Sequence, residues 1–334
     1  MPQRLERLKL LPLSRPVKAP EGALSLARVL TAAMRLGDDA SSVRSSRSSL
    51  RPRRKTVSSA EAKALPSSKG EWVVGDAPTG LAVRTQKRYG WRPDHPDMRD
   101  YLAAVEPLKT LPQTVSLRKQ MPPVYDQGQL GSCTANSIGS ILEFNEMKQK
   151  EKDAATPSRL FIYYNERAME GTIRQDSGAE IRDGIKSVAQ LGAPPESLWP
   201  YAISKFAQKP PAKAYKEAVK HEAIRYARVA QTQMGIQTVL ASGYPISFGF
   251  TVYQSFESDV GADGIVPMPQ PSEKTLGGHA VVAVGYKQIK GQPYFECRNS
   301  WGTSWADHGY FWMPASYITS SDLASDFWVI EQVE

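Results

Sequence analysis

A chain of 334 residues with 41% hydrophobic and 23% charged residues has ample material for a core. No stretch approaches the ~20 apolar residues of a membrane span, which excludes a transmembrane reading. The formal charge of +8 hints at an acidic partner, yet it is unevenly placed: Met1 to Gly90 holds eighteen Lys and Arg against seven Asp and Glu, and the remainder is mildly acidic. The basic character belongs to the N-terminal segment rather than to the body, so nucleic acid is not an expected partner.

Taken in order, residues 1–80 read as a basic, Ser/Arg-rich extension. The run from Ser41 to Lys55 holds almost nothing apolar and cannot offset its own ordering entropy. Leu24 to Met34 could form a short amphipathic helix, but Arg28 interrupts it and no secretory signal results. A solvated tail is favoured over a transit peptide, an activation segment, a nucleic-acid-binding tail or an extension from a mis-assigned start, and with no signal the cytoplasm is favoured. Residues 81–110 differ. Tyr89-Gly-Trp-Arg-Pro-Asp-His-Pro-Asp-Met-Arg-Asp-Tyr101 combines aromatics with prolines, which suggests an ordered, extended arm needing a surface to lie on.

Residues 111–334 form the body. A Gly-rich turn through Gly128 and Gly131 leads into a helix at Cys133, with Ser132 where an N-cap belongs and Ala135, Ile138, Ile141 and Leu142 at helical spacing. Thr156 and Pro157 read as N-cap and N1 of a second helix through Met169. Asp176-Ser-Gly-Ala opens a third, with Gly192 as its stop. Lys213 to Arg225 and Thr232 to Ser242 read as further helices. From Ile246 the period changes to two, and strands are expected over Ile246–Val252, His279–Tyr286, Tyr294–Arg298, Gly309–Met313 and Phe327–Gln332. Helices first and strands second imply an α+β fold of two lobes, helical over about 131–218 and sheet over about 219–334, with a cleft between them.

The chemistry centres on Cys133. A thiol in the first turn of a buried helix meets the positive end of the helix dipole, which favours the nucleophilic thiolate. A lone cysteine there is more often packing. Two later motifs shift that balance: Gly277-Gly-His-Ala-Val-Val-Ala-Val-Gly-Tyr286, and Cys297-Arg-Asn-Ser-Trp-Gly-Thr-Ser-Trp305. Cys297 alternates with Phe295 on an expected buried strand and reads as packing. The four histidines are scattered without ligand spacing, so neither a metal nor another cofactor is expected.

Gln127, Cys133, His279 and Asn299, in this order and with His279 trailing Cys133 by 146 residues, resemble the papain family of cysteine peptidases. The likeness runs from about Leu111 to the C-terminus and is nearest to a bacterial group carrying Tyr-Gly-Trp and Pro-Asp-x-Arg-Asp elements upstream. It implies the papain-like fold, with the Cys-bearing helix packed against a β-barrel-like antiparallel lobe. It implies Cys133 as nucleophile, His279 as its acid–base partner, Asn299 as the group that orients His279, and Gln127 as an oxyanion donor. In papain itself the His-paired thiol titrates at roughly 3–4.

By the same resemblance Trp301 and Trp305 shield the Asn–His contact and line the primed side. Ser177 and Gly178 pair with an extended peptide, and Gly249 and Ala280 form a roomy, apolar S2 pocket. Four departures stand out. Leu130 replaces a disulfide cysteine, Ser177 a glycine, Thr134 an aromatic, and Gly278 a polar residue beside the histidine. The expected activity is endopeptidase hydrolysis of peptides or proteins, with the chain's own N-terminal segment as a candidate occupant of the cleft. An acyl transferase using the same trio and a silent binding protein of the same fold are the alternatives.

Overall fold

Helix-forming and strand-forming sequence are segregated along the chain, and the element order of the computed structural model, which describes residues 89–103, 110–150 and 154–333, follows that segregation. The expected 1–80 extension and the candidate helix at 24–34 lie outside the described residues.

Helix α1 (Cys133–Lys150) is the spine. Its small residues let it run buried on all sides from Cys133 to Glu146. Ile138, Ile141, Leu142 and Phe144 are almost fully enclosed, a burial that contributes about 1.5–3 kcal/mol each. Ser132 occupies the position that begins the helix, its carbonyl accepting from the Asn136 amide at 3.0 Å. Its hydroxyl does not cap the backbone, because it pairs with Tyr201 Oη at 2.5 Å and with Asn136 Nδ2 at 3.0 Å.

Helix α2 (Arg159–Met169) starts later than its sequence suggests. The cap is Ser158, whose hydroxyl accepts from the Phe161 amide at 3.2 Å, while the Thr156 hydroxyl instead donates to Glu143 Oε1 at 3.1 Å. Helix α3 (Ile181–Leu191) ends at Gly192, whose φ of 70° is the left-handed stop expected there. Its beginning also differs. Asp176 to Gly178 are irregular and Ala179 opens a two-residue strand, with Gly178 left-handed at φ 70° and the Asp176 carboxylate facing sideways to the Gly131 amide at 3.0 Å.

The largest correction falls on Lys213 to Arg225. Helix α4 spans only Ala212–Ala218, and the chain then becomes a strand at Ala223–Arg228. Pairing with the last strand of the sheet outweighs the helical preference of this Lys-, Glu- and Ala-rich sequence. Helix α5 (Gln233–Ala241) follows, capped by Thr232.

Nine strands occur among the described residues, here β1 to β9 in chain order: Trp91–Arg92, Val115–Ser116, Ala179–Glu180, Ala223–Arg228, Ile246–Tyr253, Thr275–Ile289, Gln292–Arg298, Tyr310–Pro314 and Ala324–Val333. Strands β4-β9-β5-β6-β7-β8 lie side by side in antiparallel pairs, with β2 joining β6. Strand β6, at 15 residues, extends past both expected ends. Helix α1 crosses this sheet. The Ser137 hydroxyl meets the Ser247 hydroxyl at 2.6 Å, and Asn145 Nδ2 donates to Ile330 O at 2.8 Å. One hydrophobic cluster gathers α1, α2 and α3, and a second fills the sheet. The remaining pair, β1 with β3, is parallel and is made by the arm.

Candidate active site

The N-terminus of α1 is delivered to the sheet at one point. Cys133 is fully buried, and backbone hydrogen bonds reach its thiol from Ala280 on β6 and from Gly90 on the arm. Burial dominates and pushes the thiol up to about 12, with those two amides pulling the other way. In this state the sulfur is a thiol rather than a thiolate.

His279 immediately precedes Ala280, the β6 residue whose amide reaches the sulfur. Its Nε2 is 2.8 Å from Asn299 Oδ1, the oxygen that also accepts from the Ser300 amide at 2.8 Å. An acceptor oxygen at Nε2 calls for the proton on that nitrogen and leaves Nδ1 for the thiol side. Trp301 lies 4.9 Å from the imidazole centroid at a shallow tilt and is itself buried, which keeps water from the His279–Asn299 contact. Trp305 sits behind Trp301, edge-on at 5.1 Å, against Phe256 and Phe311.

Gln127 is buried on the turn before α1. Its amide N–H bonds to Ser300 O at 2.9 Å, and its side-chain oxygen accepts from Ser300 Oγ at 2.6 Å. Its Nε2 donates to Leu130 O at 2.9 Å. Ser300, next to Asn299, therefore holds Gln127 in place, and Leu130, which stands where a disulfide half would be, accepts a hydrogen bond instead.

The arm fills the groove. Gly90 O accepts from the Ala179 amide at 2.7 Å, continuing into the β1–β3 pair. Here three glycines meet. A Cβ on Gly178 would lie 2.0 Å from Gly90 O, and one on Gly90 would lie 1.7 Å from Gly131 O, so no side chain fits at these positions. The Ser177 hydroxyl faces Thr172 Oγ1 at 3.0 Å.

Trp91 inserts where Gly249 and Gly278 leave space. Cβ atoms on those two residues would sit 1.9 Å from its Cε2 and 2.3 Å from its carbonyl oxygen. Ala280 pairs with Gly249 across β5 and β6. Tyr89 packs edge-on to His279 at 6.0 Å and hydrogen-bonds to Glu257.

Beyond Trp91 the arm is pinned by charge. The Asp94 carboxylate accepts from the Arg182 amide at the start of α3 at 3.0 Å and from Trp328 Nε1 at 2.9 Å. Asp100 pairs with Arg182 and with Arg228, the latter at 3.2 Å. Arg92 pairs with Glu170, and His95 with Glu180 at 2.6 Å.

Sequence reasoning missed two acids at the site. Glu166 lies under α1, fully buried, and accepts from the Thr134 hydroxyl at 2.7 Å; burial holds its carboxyl well above the usual range. The position of Thr134, where an aromatic is expected, was the only signal for it. Asp326 on β9 accepts from Trp91 Nε1 at 3.2 Å. It gives the pocket expected to be apolar a polar end, and no motif marked it. Among the described residues no group of acids, histidines and cysteines could hold a metal ion.

The model of the papain family cysteine proteases matches residues 111–328. The chain belongs to that family. An uncharacterised peptidase C1-like protein of Acanthamoeba polyphaga mimivirus is 44% identical over 247 residues, covering 71% of this chain and 76% of that protein. The crystal structure of xylellain, a cysteine protease from Xylella fastidiosa, superposes with a TM-score of 0.69 at 41% identity, over 77% of this chain and all of that one. Mouse cathepsin K is 29% identical over 249 residues, 70% of this chain and 66% of its own length. A digestive procathepsin L 3 of Tenebrio molitor, at 19% identity and a TM-score of 0.53, shares the fold. The papain-like architecture and the cysteine-protease assignment expected from the motifs are thus established.

Proposed function

We propose that this papain-family protease is an endopeptidase that cuts peptide bonds through Cys133, His279, Asn299 and Gln127, and that its own arm holds it latent. The observation that supports this most is the adjacency of two contacts on β6. The Ala280 amide reaches the Cys133 sulfur, and the neighbouring His279 is fixed by Asn299 at 2.8 Å.

Once the arm is displaced, His279 takes the thiol proton and the sulfur attacks the substrate carbonyl carbon. The oxygen that becomes negative is met by the Cys133 amide and the Gln127 side-chain amide. His279 then gives its proton to the leaving amine as the C–N bond breaks, which leaves a thioester. Water attacks the thioester, His279 takes the water's proton, and the C–S bond breaks to restore the thiol and release the acid. Asn299 keeps the imidazole facing the sulfur throughout.

In the docked arm the Gly90 amide reaches the Cys133 sulfur and the Gly90 carbonyl is engaged by Ala179. Treating the full chain with an epoxysuccinyl peptide and mapping the adduct tests the reading. A Cys133 adduct with matching loss of peptide hydrolysis is expected. An adduct on Cys297 alone, or hydrolysis surviving Cys133→Ala, would overturn it. Carrying out the hydrolysis with an added amine separates hydrolase from acyl transferase by product.

A further inference from the structure

We propose that Asp326 makes the main substrate pocket select an indole, so that the preferred residue at P2, one before the residue whose carbonyl is attacked, is tryptophan. This rests on the catalytic reading above and adds a specificity determinant to it. Trp91 is seated in the pocket, with its ring against Gly249 and its backbone and ring edge against Gly278. The slot lies over the face of the paired strands β5 and β6 at these two glycines, and the N–H end of the indole meets the Asp326 carboxylate on β9.

The indole N–H donates to Asp326 Oδ2 at 3.2 Å, inside a contact that leaves Trp91 only 7% exposed. The other carboxylate oxygen is taken by Arg228 at 2.8 Å. Asp94, whose amide also donates to Oδ2 at 2.8 Å, belongs to the arm and departs with it. An emptied pocket thus offers one carboxylate oxygen at the end of an apolar slot. A phenyl or leucyl side chain fills the slot but leaves that acceptor unmet, which forfeits a hydrogen bond to a charged group. A guanidinium would bring a second positive charge against Arg228. An uncharged ring bearing one N–H at its far edge meets the open Asp326 oxygen and adds no charge beside Arg228.

The test uses the full chain and fluorogenic acyl-dipeptide amides that differ only at P2: tryptophan, 1-methyltryptophan, 2-naphthylalanine, phenylalanine, leucine and arginine. Displacing the arm costs the same for every member and cancels in ratios of kcat/KM. A hydrogen bond to a charged acceptor is worth roughly tenfold or more, so tryptophan should exceed 1-methyltryptophan and 2-naphthylalanine by about that factor. Asp326→Ala should close the gap. Because that change also strips a partner from Arg228, the 1-methyltryptophan comparison on the unaltered protein is decisive. Turnover of leucine and phenylalanine substrates with no gain for tryptophan, or a preference for arginine, overturns the role of Asp326 and leaves the hydrolase standing. Absence of turnover for every member, together with absence of epoxysuccinyl labelling, overturns the catalytic reading itself.

Discussion

The Trp91 ring lies against Gly249 so closely that a single methyl group on that glycine would overlap it, at 1.9 Å from Cε2. The arm is therefore held by a side chain that only a gap in the sheet admits. Burying a tryptophan of this kind is worth about 3–5 kcal/mol when truncated to alanine. Full-length Trp91→Ala should release the arm far more often, raising the initial rate on a peptide substrate by at least tenfold. If the melting temperature falls while the rate stays flat, the arm is a brace for the body and not a plug.

Cys133 should be the only essential thiol. Cys133→Ala should abolish peptide turnover and leave far-UV circular dichroism and melting unchanged to within a few degrees. Cys297 is fully buried on β7, its thiol pushed well up by desolvation, and Cys297→Ala should keep most of the activity. The readout is kcat/KM for each variant.

Asn299→Ala should lower kcat with little change in KM, because Asn299 orients His279 and stands apart from the substrate groove. The bell-shaped pH profile of the released enzyme should keep both limbs, which belong to the Cys133–His279 pair as a unit. An unchanged kcat would remove Asn299 from the mechanism.

Docking of the arm should weaken as pH rises. Burial, followed by the nearby Asp326 carboxylate, raises the Asp94 carboxyl to about 7. A free aspartate titrates near ~4. The docked form thus keeps a proton that the released form gives up, and its advantage, complete below ~4, declines until pH passes about 7. The Arg182 amide, the Arg228 guanidinium and the Trp328 indole face the same carboxylate. Labelling of Cys133 in the full chain, divided by that in Trp91→Ala to cancel the reagent's own pH dependence, should rise between pH 5 and pH 8. Asp94→Asn should flatten the ratio, and a ratio that falls over this range would contradict the assignment.

What could be read from the residues and what could not divides along physical lines. The helix at Cys133, its turn glycines and the His279 and Asn299 motifs were legible because each is a local pattern with a local reason. The Lys213 to Arg225 stretch was misread as helix because its fate is settled by a strand more than a hundred residues later, which no local propensity records. The arm's aromatics announced that it docks, yet its location depends on the gaps at Gly178, Gly249 and Gly278, which exist only once the sheet is assembled. Asp326 was invisible for the same reason. It is one carboxylate on the last strand, and its meaning comes from facing a slot built by two others.

The latency proposed above would respond to dilution in a way set by chain connectivity. The arm's strand β1 and its partner β3 share one polypeptide, joined through residues 104–109. Re-docking is then a unimolecular event at a fixed effective concentration, on the order of millimolar for a short connection, and does not weaken when the protein is diluted. A single cut between Ala103 and Thr110 would turn the arm into an ordinary ligand. Nicked enzyme would stay silent in a concentrated stock and awaken as it is diluted below the dissociation constant of its own severed segment.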